Sequence, residues 1–407
     1  MPFDHIVVVM MENHSFDNLL GALPRSGQPA ADGLTFDGAG RPTNANPGSA
    51  GTPPTVRAFA FPSTAQGSDV TQTWNATHEQ IDGGKMDGFV RSVNAKQPMG
   101  YYPPEVLPFA YDLASTFTLA NRWFCSAPCM TVPNRRFLMA GTAYGSIATT
   151  VQSLTDPPPP GGTIFDHLHA HGISWRDYFT DLPYTAMIPS IVEKYPGNLA
   201  TLDQFFDDCS KGSLPSVSFV DPEVGAVSLI GKTLSSLPVL GPILGKLGTL
   251  GGDQEEPQDM YYGEAWAHRV VEAVLRSPAW PRTLLIYTYD EHGGYYDHVP
   301  PPAAIPPDSI PPKLAPGDVP GGYDIYGPRV PAVVASPYAK PHAVTDVVHD
   351  HTSVLATIEA KWNLPALTAR DANASTVMDF LDPGHAAFLT PPAIQGPSLT
   401  GPSGPAI

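Results

Sequence analysis

Short runs of apolar residues, rich in branched side chains, recur along the chain and predict the strands of a sheet. These runs cover residues 6–11, 174–179, 216–220, 283–289 and 330–335. Most of them lack a polar residue at every second position, so we expect strands covered on both faces, as in a parallel sheet. Apolar residues at helical spacing predict intervening helices over residues 134–143, 163–170, 261–275 and 352–362. This alternation is typical of an α/β fold with a mostly parallel central sheet flanked by helices.

Composition indicates one large domain with long loops. The chain has 407 residues, of which 42% are hydrophobic, so it can bury a sizeable core. Its 48 prolines and 37 glycines lie between the apolar runs, and they predict loops over residues 24–69 and 300–322. We expect a single domain over residues 1–390 and a Pro/Gly/Ser-rich tail over 391–407. The net charge of −17 argues against a nucleic-acid partner, since such a chain repels a phosphate backbone.

Residues 225–252 form an unusual apolar segment inside this domain. The segment contains seven leucines, mostly three or four positions apart, but glycines and prolines interrupt them. One interpretation is an insertion that packs into the core, because leucines at helical spacing usually do so. The other is an apolar lid or a wall of a substrate pocket. The sequence leaves both open.

The cellular compartment is only loosely bounded. Three cysteines are too few for a disulfide framework, and no apolar run is long and clean enough for a transmembrane segment. No signal peptide is visible at the start of the sequence. The sequence as given therefore indicates a cytoplasmic protein, or a secreted or periplasmic one whose leader has been removed. The oligomeric state is open.

Polar side chains follow two of the predicted strands. Glu12 and Asn13 come directly after the first strand, and Asp290 and Glu291 follow the strand at 283–289. In open α/β sheets, ligands bind at the carboxyl ends of strands. Oxygen ligands of this kind hold Mg²⁺, Ca²⁺ or Mn²⁺, and sometimes Zn²⁺. Any one of these acids alone could be a solvated loop residue, but two such pairs predict one divalent metal site.

Thr131 is a candidate nucleophile. Pro133 is expected at the first position of the helix over 134–143, which would place Thr131 just ahead of the helix N-terminus. Free N–H groups there favour an anion, and a hydroxyl beside a cation loses its proton more easily. The alternative is an ordinary helix cap. Four histidines are further candidates, with capping or buried structural roles as the alternative: His78, His292, His298 and His351.

Several motifs resemble the bacterial phosphoesterase family, which includes phospholipases C and metal-dependent acid phosphatases. The first is Met10-Met11-Glu12-Asn13-His14-Ser15-Phe16-Asp17. The others are Gly83-Gly84-Lys85-Met86-Asp87-Gly88-Phe89, Pro133-Asn134-Arg135-Arg136-Phe137-Leu138, residues 280–302, Gly327-Pro328-Arg329-Val330-Pro331 and Asp350-His351-Thr352-Ser353. They occur in the family's order over nearly the whole chain.

The resemblance implies an alkaline-phosphatase-like fold and a set of site residues. It implies that Glu12, Asn13, Asp290 and Glu291 bind the metal and that Thr131 is the nucleophile. His78 matches a histidine near the phosphoryl group, and we also expect His292 and His351 to take part in catalysis. Residues expected around the substrate are Asn134, Arg135 and His298, the first two mainly as supports.

One motif departs from the family. Where members carry an Asp-His-Pro-like tripeptide, this chain has Glu255-Glu256-Pro257, so Glu256 replaces the histidine. A carboxylate there would repel a phosphate unless it is protonated or binds a cation. The leading hypothesis is a metal-dependent hydrolase of small or lipid-like phosphoric esters, acting through a phosphothreonine. The alternative is a different metal-dependent reaction on the same scaffold, in which Glu256 takes over from the histidine; a non-catalytic binding protein is the third.

Overall fold

The computed structural model describes residues 1–150, 156–223, 252 and 254–397. Its centre is an eight-stranded sheet whose two middle strands are buried except at His5, the first residue of one of them. In spatial order the strands are β12 (Val344–Thr345), β6 (Thr118–Ala120), β11 (Ala332–Ala335), β10 (Thr283–Tyr289), β1 (His5–Met11), β9 (Val217–Asp221), β7 (Trp175–Phe179) and β8 (Leu199–Thr201). Only β11 runs antiparallel to its neighbours. The predicted mostly parallel α/β sheet is confirmed.

Helices and short strands make up the rest of the described fold. The helices are α1 (Phe16–Leu20), α2 (Trp74–Ile81), α3 (Phe89–Val93), α4 (Pro108–Thr116), α5 (Thr131–Ala140), α6 (Ile164–Ala170), α7 (Pro189–Lys194), α8 (Leu202–Lys211), α9 (Met260–Leu275), α10 (Thr352–Trp362) and α11 (Ala369–Ala372). The short strands are β2 (Ala45–Pro47), β3 (Thr55–Arg57), β4 (Phe59–Ala60) and β5 (Gly100–Tyr101). Every residue of β10 is buried, which requires cover on both sheet faces.

Helix α5 starts three residues before the helix predicted over residues 134–143. Pro133 is its third residue, and Thr131 is its first. A proline is tolerated throughout the first turn, because the N–H groups there have no partner within the helix. The helix ends at Gly141, which adopts a left-handed conformation with φ of 70°. The prediction that Thr131 precedes the helix is therefore wrong by one turn: its backbone belongs to the first turn itself.

The loop predictions are confirmed in part. Residues 300–322 contain no helix or strand, as expected, but residues 24–69 contribute β2, β3 and β4. The apolar segment over 225–252 lies outside the described residues except for Gly252, and the tail is described only as far as residue 397. Within the described residues, no helix combines the length and apolar character needed to cross a bilayer.

Candidate active site

Pairing of the two central strands brings the predicted ligands together. Strands β1 and β10 are parallel neighbours in which Met11 pairs with Tyr289. The residues that follow, Glu12 and Asp290, therefore emerge at the same edge of the sheet, and both are buried. Gly293 closes the turn after β10 with φ of 63°, and a Cβ there would lie 1.9 Å from the carbonyl oxygen of Asn13. Only glycine fits this close approach.

Oxygen atoms of three side chains converge beside this edge. With its nitrogen turned inward, the Asn13 amide would donate to Oε1 of Glu291 at 2.8 Å and to Oδ1 of Asp290 at 3.1 Å. With its oxygen turned inward, three oxygens meet, and either a proton on a carboxyl group or a cation would hold them there. This donor set of carboxylates and an amide suits a hard divalent cation. The residues present therefore fit the metal that the family implies.

Arg135 is a buried cation beside these acids. Its Nε donates to Oδ2 of Asp290 at 3.1 Å, and its Nη2 lies 3.4 Å from Oε1 of Glu12. Nη2 also donates to the carbonyl oxygens of Met10 and Met11, both at 3.2 Å. The guanidinium thus ties helix α5 to the end of β1. These contacts make Arg135 a support for the ligands, and we find it bonded to protein rather than presented to a substrate.

The three carboxyl groups of Glu12, Asp290 and Glu291 have one buried guanidinium, that of Arg135, beside them. Burial raises the pKa of Glu12, against the opposing influence of Arg135. Burial also raises the pKa values of Asp290 and Glu291 well above the ordinary range. Three buried acids beside one arginine leave an excess of negative charge, which either protons or a divalent cation must balance.

Thr131 faces the same cluster. Its Oγ1 lies 3.3 Å from Oδ1 of Asn13, and only 3% of the residue is exposed. Thr131 opens helix α5, where the N-cap residue Met130 gives no side-chain hydrogen bond to the first turn. The positive end of the helix dipole therefore lies beside the hydroxyl and the acids. This arrangement can bind a negatively charged group next to a nucleophilic oxygen.

Asn134 holds the segment that leads into Thr131. Its Oδ1 accepts a hydrogen bond from the N–H of Ala127 at 3.0 Å. Its Nδ2 donates to the carbonyl oxygens of Ala127 and Cys129, at 3.2 and 2.8 Å. The amide side chain is thus fully used in shaping residues 127–130. Like Arg135, Asn134 acts as a support for the site.

Two of the predicted histidines lie beside the acids. Nε2 of His351 bonds the carbonyl oxygen of Asp290 at 2.6 Å, and burial lowers its pKa to about 4. Nε2 of His292 bonds Oε1 of Gln80 at 2.7 Å, while Nδ1 lies 3.4 Å from Oε2 of Glu291. Burial lowers the pKa of His292 to about 3. Both rings are therefore neutral at pH 7 and position the turn that carries the ligands.

His78 lies on helix α2 near the proline-rich loop. Its Nδ1 bonds the carbonyl oxygen of Trp74 at 2.7 Å, and a Cβ on Gly321 would lie 3.2 Å from its Nε2. Gln80, which bonds His292, is two positions further and so points about 200° around the helix from His78. The contacts of His78 thus lie towards residues 321–324, and its role at a phosphoryl group stays a prediction.

His298 belongs to a separate ion cluster rather than to the ligand set. Its Nδ1 bonds Oδ2 of Asp17 at 2.7 Å, and its Nε2 lies 3.3 Å from Oδ1 of Asp32. Burial opposes the charged ring, but these acids outweigh it and raise the pKa of His298 to about 10. Candidate ligand atoms of Asp17, Asp297 and His298 lie within 4.8 Å of one another. Arg329 donates to both Asp297 oxygens, at 2.8 and 3.0 Å, so a cation already fills this cluster.

The two glutamates of the altered motif have different neighbours. Burial raises the pKa of Glu255 to about 8, and the next causes are the charges of Glu12, Asp290 and Glu291. Glu255 therefore lies within electrostatic reach of three of the predicted ligands. Burial raises the pKa of Glu256 as well, but its carboxyl contacts Tyr295, and Oε1 would lie 3.1 Å from a Cβ on Gly293. The sequence singled out Glu256, whereas its neighbour has the closer electrostatic link to the cluster.

Tyr184 is a site residue that sequence reasoning missed. It lies in the short 3-10 helix Tyr184–Met187 beyond the end of β7, and its hydroxyl donates to Oε1 of Glu12 at 2.6 Å. Its ring covers the guanidinium of Arg135, whose central carbon is 3.6 Å from the ring centroid. The prediction of ligands covers only residues directly after a strand, and Tyr184 comes several positions after the end of β7.

Similar proteins include several phospholipases. Non-specific phospholipase C6 from Arabidopsis thaliana is 32% identical over 424 residues, which cover 97% of this chain and 74% of that protein. Non-specific phospholipase C1 from the same plant is 31% identical, covering 92% of this chain and 70% of its own length. Phospholipase C B from Mycobacterium tuberculosis is 28% identical, covering 98% and 80%.

Solved structures of more distant proteins also align with the fold. The phosphonate monoester hydrolase of Agrobacterium radiobacter is 11% identical, with a TM-score of 0.40 over 93% of this chain and 77% of its own. A protein in the alkaline phosphatase superfamily from Vibrio parahaemolyticus is 12% identical, with a TM-score of 0.39 over 88% and 79%. The profile of the Phosphoesterase family matches residues 3–365. The chain belongs to the phosphoesterase family.

Proposed function

We propose that this chain hydrolyses lipid-like phosphoric esters, with Thr131 as nucleophile and one divalent cation held by Glu12, Asn13, Asp290 and Glu291. Hydrolysis of phosphoric esters itself follows from membership of the family. The names of the similar phospholipases support the lipid-like substrate class. The observation that carries the mechanism is the position of the Thr131 hydroxyl, 3.3 Å from Asn13 at the first turn of helix α5.

The proposed reaction has two displacements at phosphorus. The Thr131 oxygen attacks in line, a bond from Oγ1 to phosphorus forms, and the bond to the alcohol oxygen breaks. The leaving alcohol takes up the proton that the Thr131 hydroxyl loses. Water then attacks the phosphothreonine, one of its protons restores the hydroxyl, and the phosphate product leaves. A divalent cation at the four ligands would lower the pKa of the hydroxyl and neutralise phosphoryl charge. The N-terminus of α5 directs the positive end of its helix dipole towards the same oxygens.

The residues around Thr131 keep this geometry in place. Arg135, one turn along the same helix, bonds Asp290 and the end of β1, so the nucleophile and two ligands move as one unit. Asn134 fixes the preceding loop through four side-chain hydrogen bonds to its backbone carbonyl and N–H groups. Such fixed placement of reacting groups is a large part of enzymatic rate enhancement.

Substitution of Thr131 tests the nucleophile. Thr131→Ala should lower kcat by several orders of magnitude, whereas Thr131→Ser should retain part of it. Thr142→Ala is a matched control, because Thr142 is equally buried beyond the far end of α5 and donates to Oδ2 of Asp308 at 2.6 Å. Near wild-type turnover of Thr131→Ala on the best substrate would exclude the covalent route.

A substrate panel tests the activity and the cation together. We would assay p-nitrophenyl phosphate, p-nitrophenyl phosphorylcholine and bis-p-nitrophenyl phosphate, each with and without EDTA. EDTA should abolish turnover, and a divalent cation should restore it. Asp290→Asn should lose bound metal by elemental analysis while circular dichroism shows a folded protein. Full metal occupancy in that variant would contradict the proposed ligand set.

A further inference from the structure

Tyr184 connects the predicted cation ligands to a neighbouring part of the sheet. Its hydroxyl donates to Oε1 of Glu12 at 2.6 Å, and its backbone N–H donates to Oδ2 of Asp221 at 2.6 Å. Asp221 ends strand β9, which pairs directly with β1, the strand that leads into Glu12. A single residue therefore spans from the sheet edge to one ligand.

The turn that carries Tyr184 is anchored at a second point. The hydroxyl of Thr185 donates to Oδ2 of Asp177 on the adjacent strand β7. Asp177 and Asp221 are both fully buried or nearly so, and they contact each other across the two strands. Two neighbouring residues of the turn are thus hydrogen-bonded to two neighbouring strands, and the backbone bond of Tyr184 itself holds this residue against the sheet.

The contacts of Tyr184 determine how Glu12 presents its carboxylate. Oε1 receives the phenol hydrogen at 2.6 Å, and Nη2 of Arg135 lies 3.4 Å from the same oxygen. Donors directed at Oε1 leave Oε2 as the oxygen that can face a cation. The ring of Tyr184 also covers the guanidinium of Arg135, with 3.6 Å between its central carbon and the ring centroid. Tyr184 therefore fixes both Glu12 and the arginine beside it.

We propose that Tyr184 is a positioning residue of the cation site, which orients Glu12 through its hydroxyl and Arg135 through its ring. This inference rests on the proposed function, because it assumes that Glu12 is a cation ligand. Hydrogen-bond partners of metal ligands commonly contribute ten- to a hundredfold to metal affinity. Removal of the hydroxyl alone should therefore weaken the cation site while the aromatic cover of Arg135 remains.

Tyr184→Phe tests the role of the hydroxyl. We would strip the protein of metal with EDTA, remove the chelator and titrate Mn²⁺, following affinity by calorimetry and the bound ion by electron paramagnetic resonance. Tyr184→Phe should bind Mn²⁺ about tenfold more weakly than wild type. The activity of the variant should need correspondingly more Mn²⁺, and kcat at saturating Mn²⁺ should return to within a few fold of wild type.

Two control variants separate positioning from general loosening. Tyr178, on strand β7, is another buried tyrosine, and its hydroxyl donates to Oδ2 of Asp208 on helix α8 at 2.6 Å. Tyr178→Phe removes that hydroxyl. Thr185→Val removes the second anchor of the turn but keeps the phenol. We expect Mn²⁺ affinity within twofold of wild type for both. An equal loss in Thr185→Val and Tyr184→Phe would overturn the proposal, since it would show that loosening of the turn suffices.

The outcomes also distinguish this inference from the proposed function. Wild-type affinity for Mn²⁺ in Tyr184→Phe would overturn the positioning role while leaving the cation site intact. Absence of Mn²⁺ binding by the wild-type protein would instead overturn the proposed cation site, on which the role depends. If Tyr184→Phe is poorly folded, Tyr184→Trp keeps an aromatic cover over Arg135 without the phenol, and the same tenfold loss is expected.

Discussion

Replacement of Arg135 by glutamine should destabilise the metal-free protein strongly. Arg135 is 2% exposed and hydrogen-bonds Asp290 and Glu12. Removing one partner of a buried ion pair costs about 3–5 kcal/mol, because the remaining charges lose their compensation. Unfolding entropy is about 2.1 cal/mol/K per residue, so a chain of this length loses about 5 °C in Tm for a cost near 4 kcal/mol.

The pH dependence of that cost has a definite sign. Burial has already raised the pKa of Asp290 well above its ordinary value, with Arg135 acting against the rise. Without Arg135, the folded-state pKa rises further, so the folded protein binds protons more tightly than the unfolded chain. The cost is then small at low pH, where the acids are protonated in both states, and grows as pH rises.

Thermal unfolding in EDTA at pH 5.5 and pH 8 checks both statements. Arg91→Gln is the control, because Arg91 is 44% exposed and pairs at 2.8 Å with Glu79, which is 40% exposed. Exposed pairs contribute about 1 kcal/mol or less, so we expect a loss near 1 °C. Added Mg²⁺ should recover part of the loss in Arg135→Gln by supplying positive charge to the same acids. If Arg135→Gln melts within about 1 °C of wild type at pH 8, the charge-balance argument is wrong.

Two further predictions concern titratable groups outside the cluster of Glu12, Asp290 and Glu291. Burial raises the pKa of Glu264 to about 8, so its protonation stabilises the fold fully below about pH 4.5, and this contribution is lost as pH rises towards 8. Glu264→Gln should therefore make Tm vary less between pH 5 and 8. An unchanged slope of Tm against pH would contradict the raised pKa. The pKa of His298 is raised to about 10, so the stabilisation from its charged ring is present below about pH 6.5 and is lost as pH rises through 10. His298→Gln should lower the free energy of unfolding at pH 7 by about 1.5–3 kcal/mol, measured by urea unfolding. Its Mn²⁺ affinity should be unchanged.

The sequence predicts the central strands well because their physics is local. The runs that became β1 and β10 are continuously apolar, which is typical of strands buried on both faces, and residues after such strands share a sheet edge. The sequence therefore places Glu12 and Asp290 at one edge of the sheet without knowledge of the pairing register. The start of α5 was misplaced because a proline is acceptable at several positions of a first turn.

The remaining features depend on tertiary contacts that spacing does not encode. Tyr184 reaches Glu12 only because its turn folds back from β7 towards β1. The different charged neighbours of Glu255 and Glu256 depend on the folded arrangement of the chain, which motif alignment does not give. His298 lies in a strong sequence motif, yet Asp17 and Asp32 fix it in an ion cluster. Motifs locate such residues but do not separate cluster members from ligands.

The pairing of β1 with β10 also determines when the cation site can exist. Met11 and Tyr289 are partners in the sheet although 278 positions separate them along the chain, so the four proposed ligands meet only when this long-range pairing has formed. The unfolded chain therefore holds no preformed site, and cation binding favours only the folded state. By mass action, cation at a hundred times its Kd would stabilise the fold by about 2.7 kcal/mol. The melting temperature then becomes a direct reporter of the free divalent cation concentration around the protein.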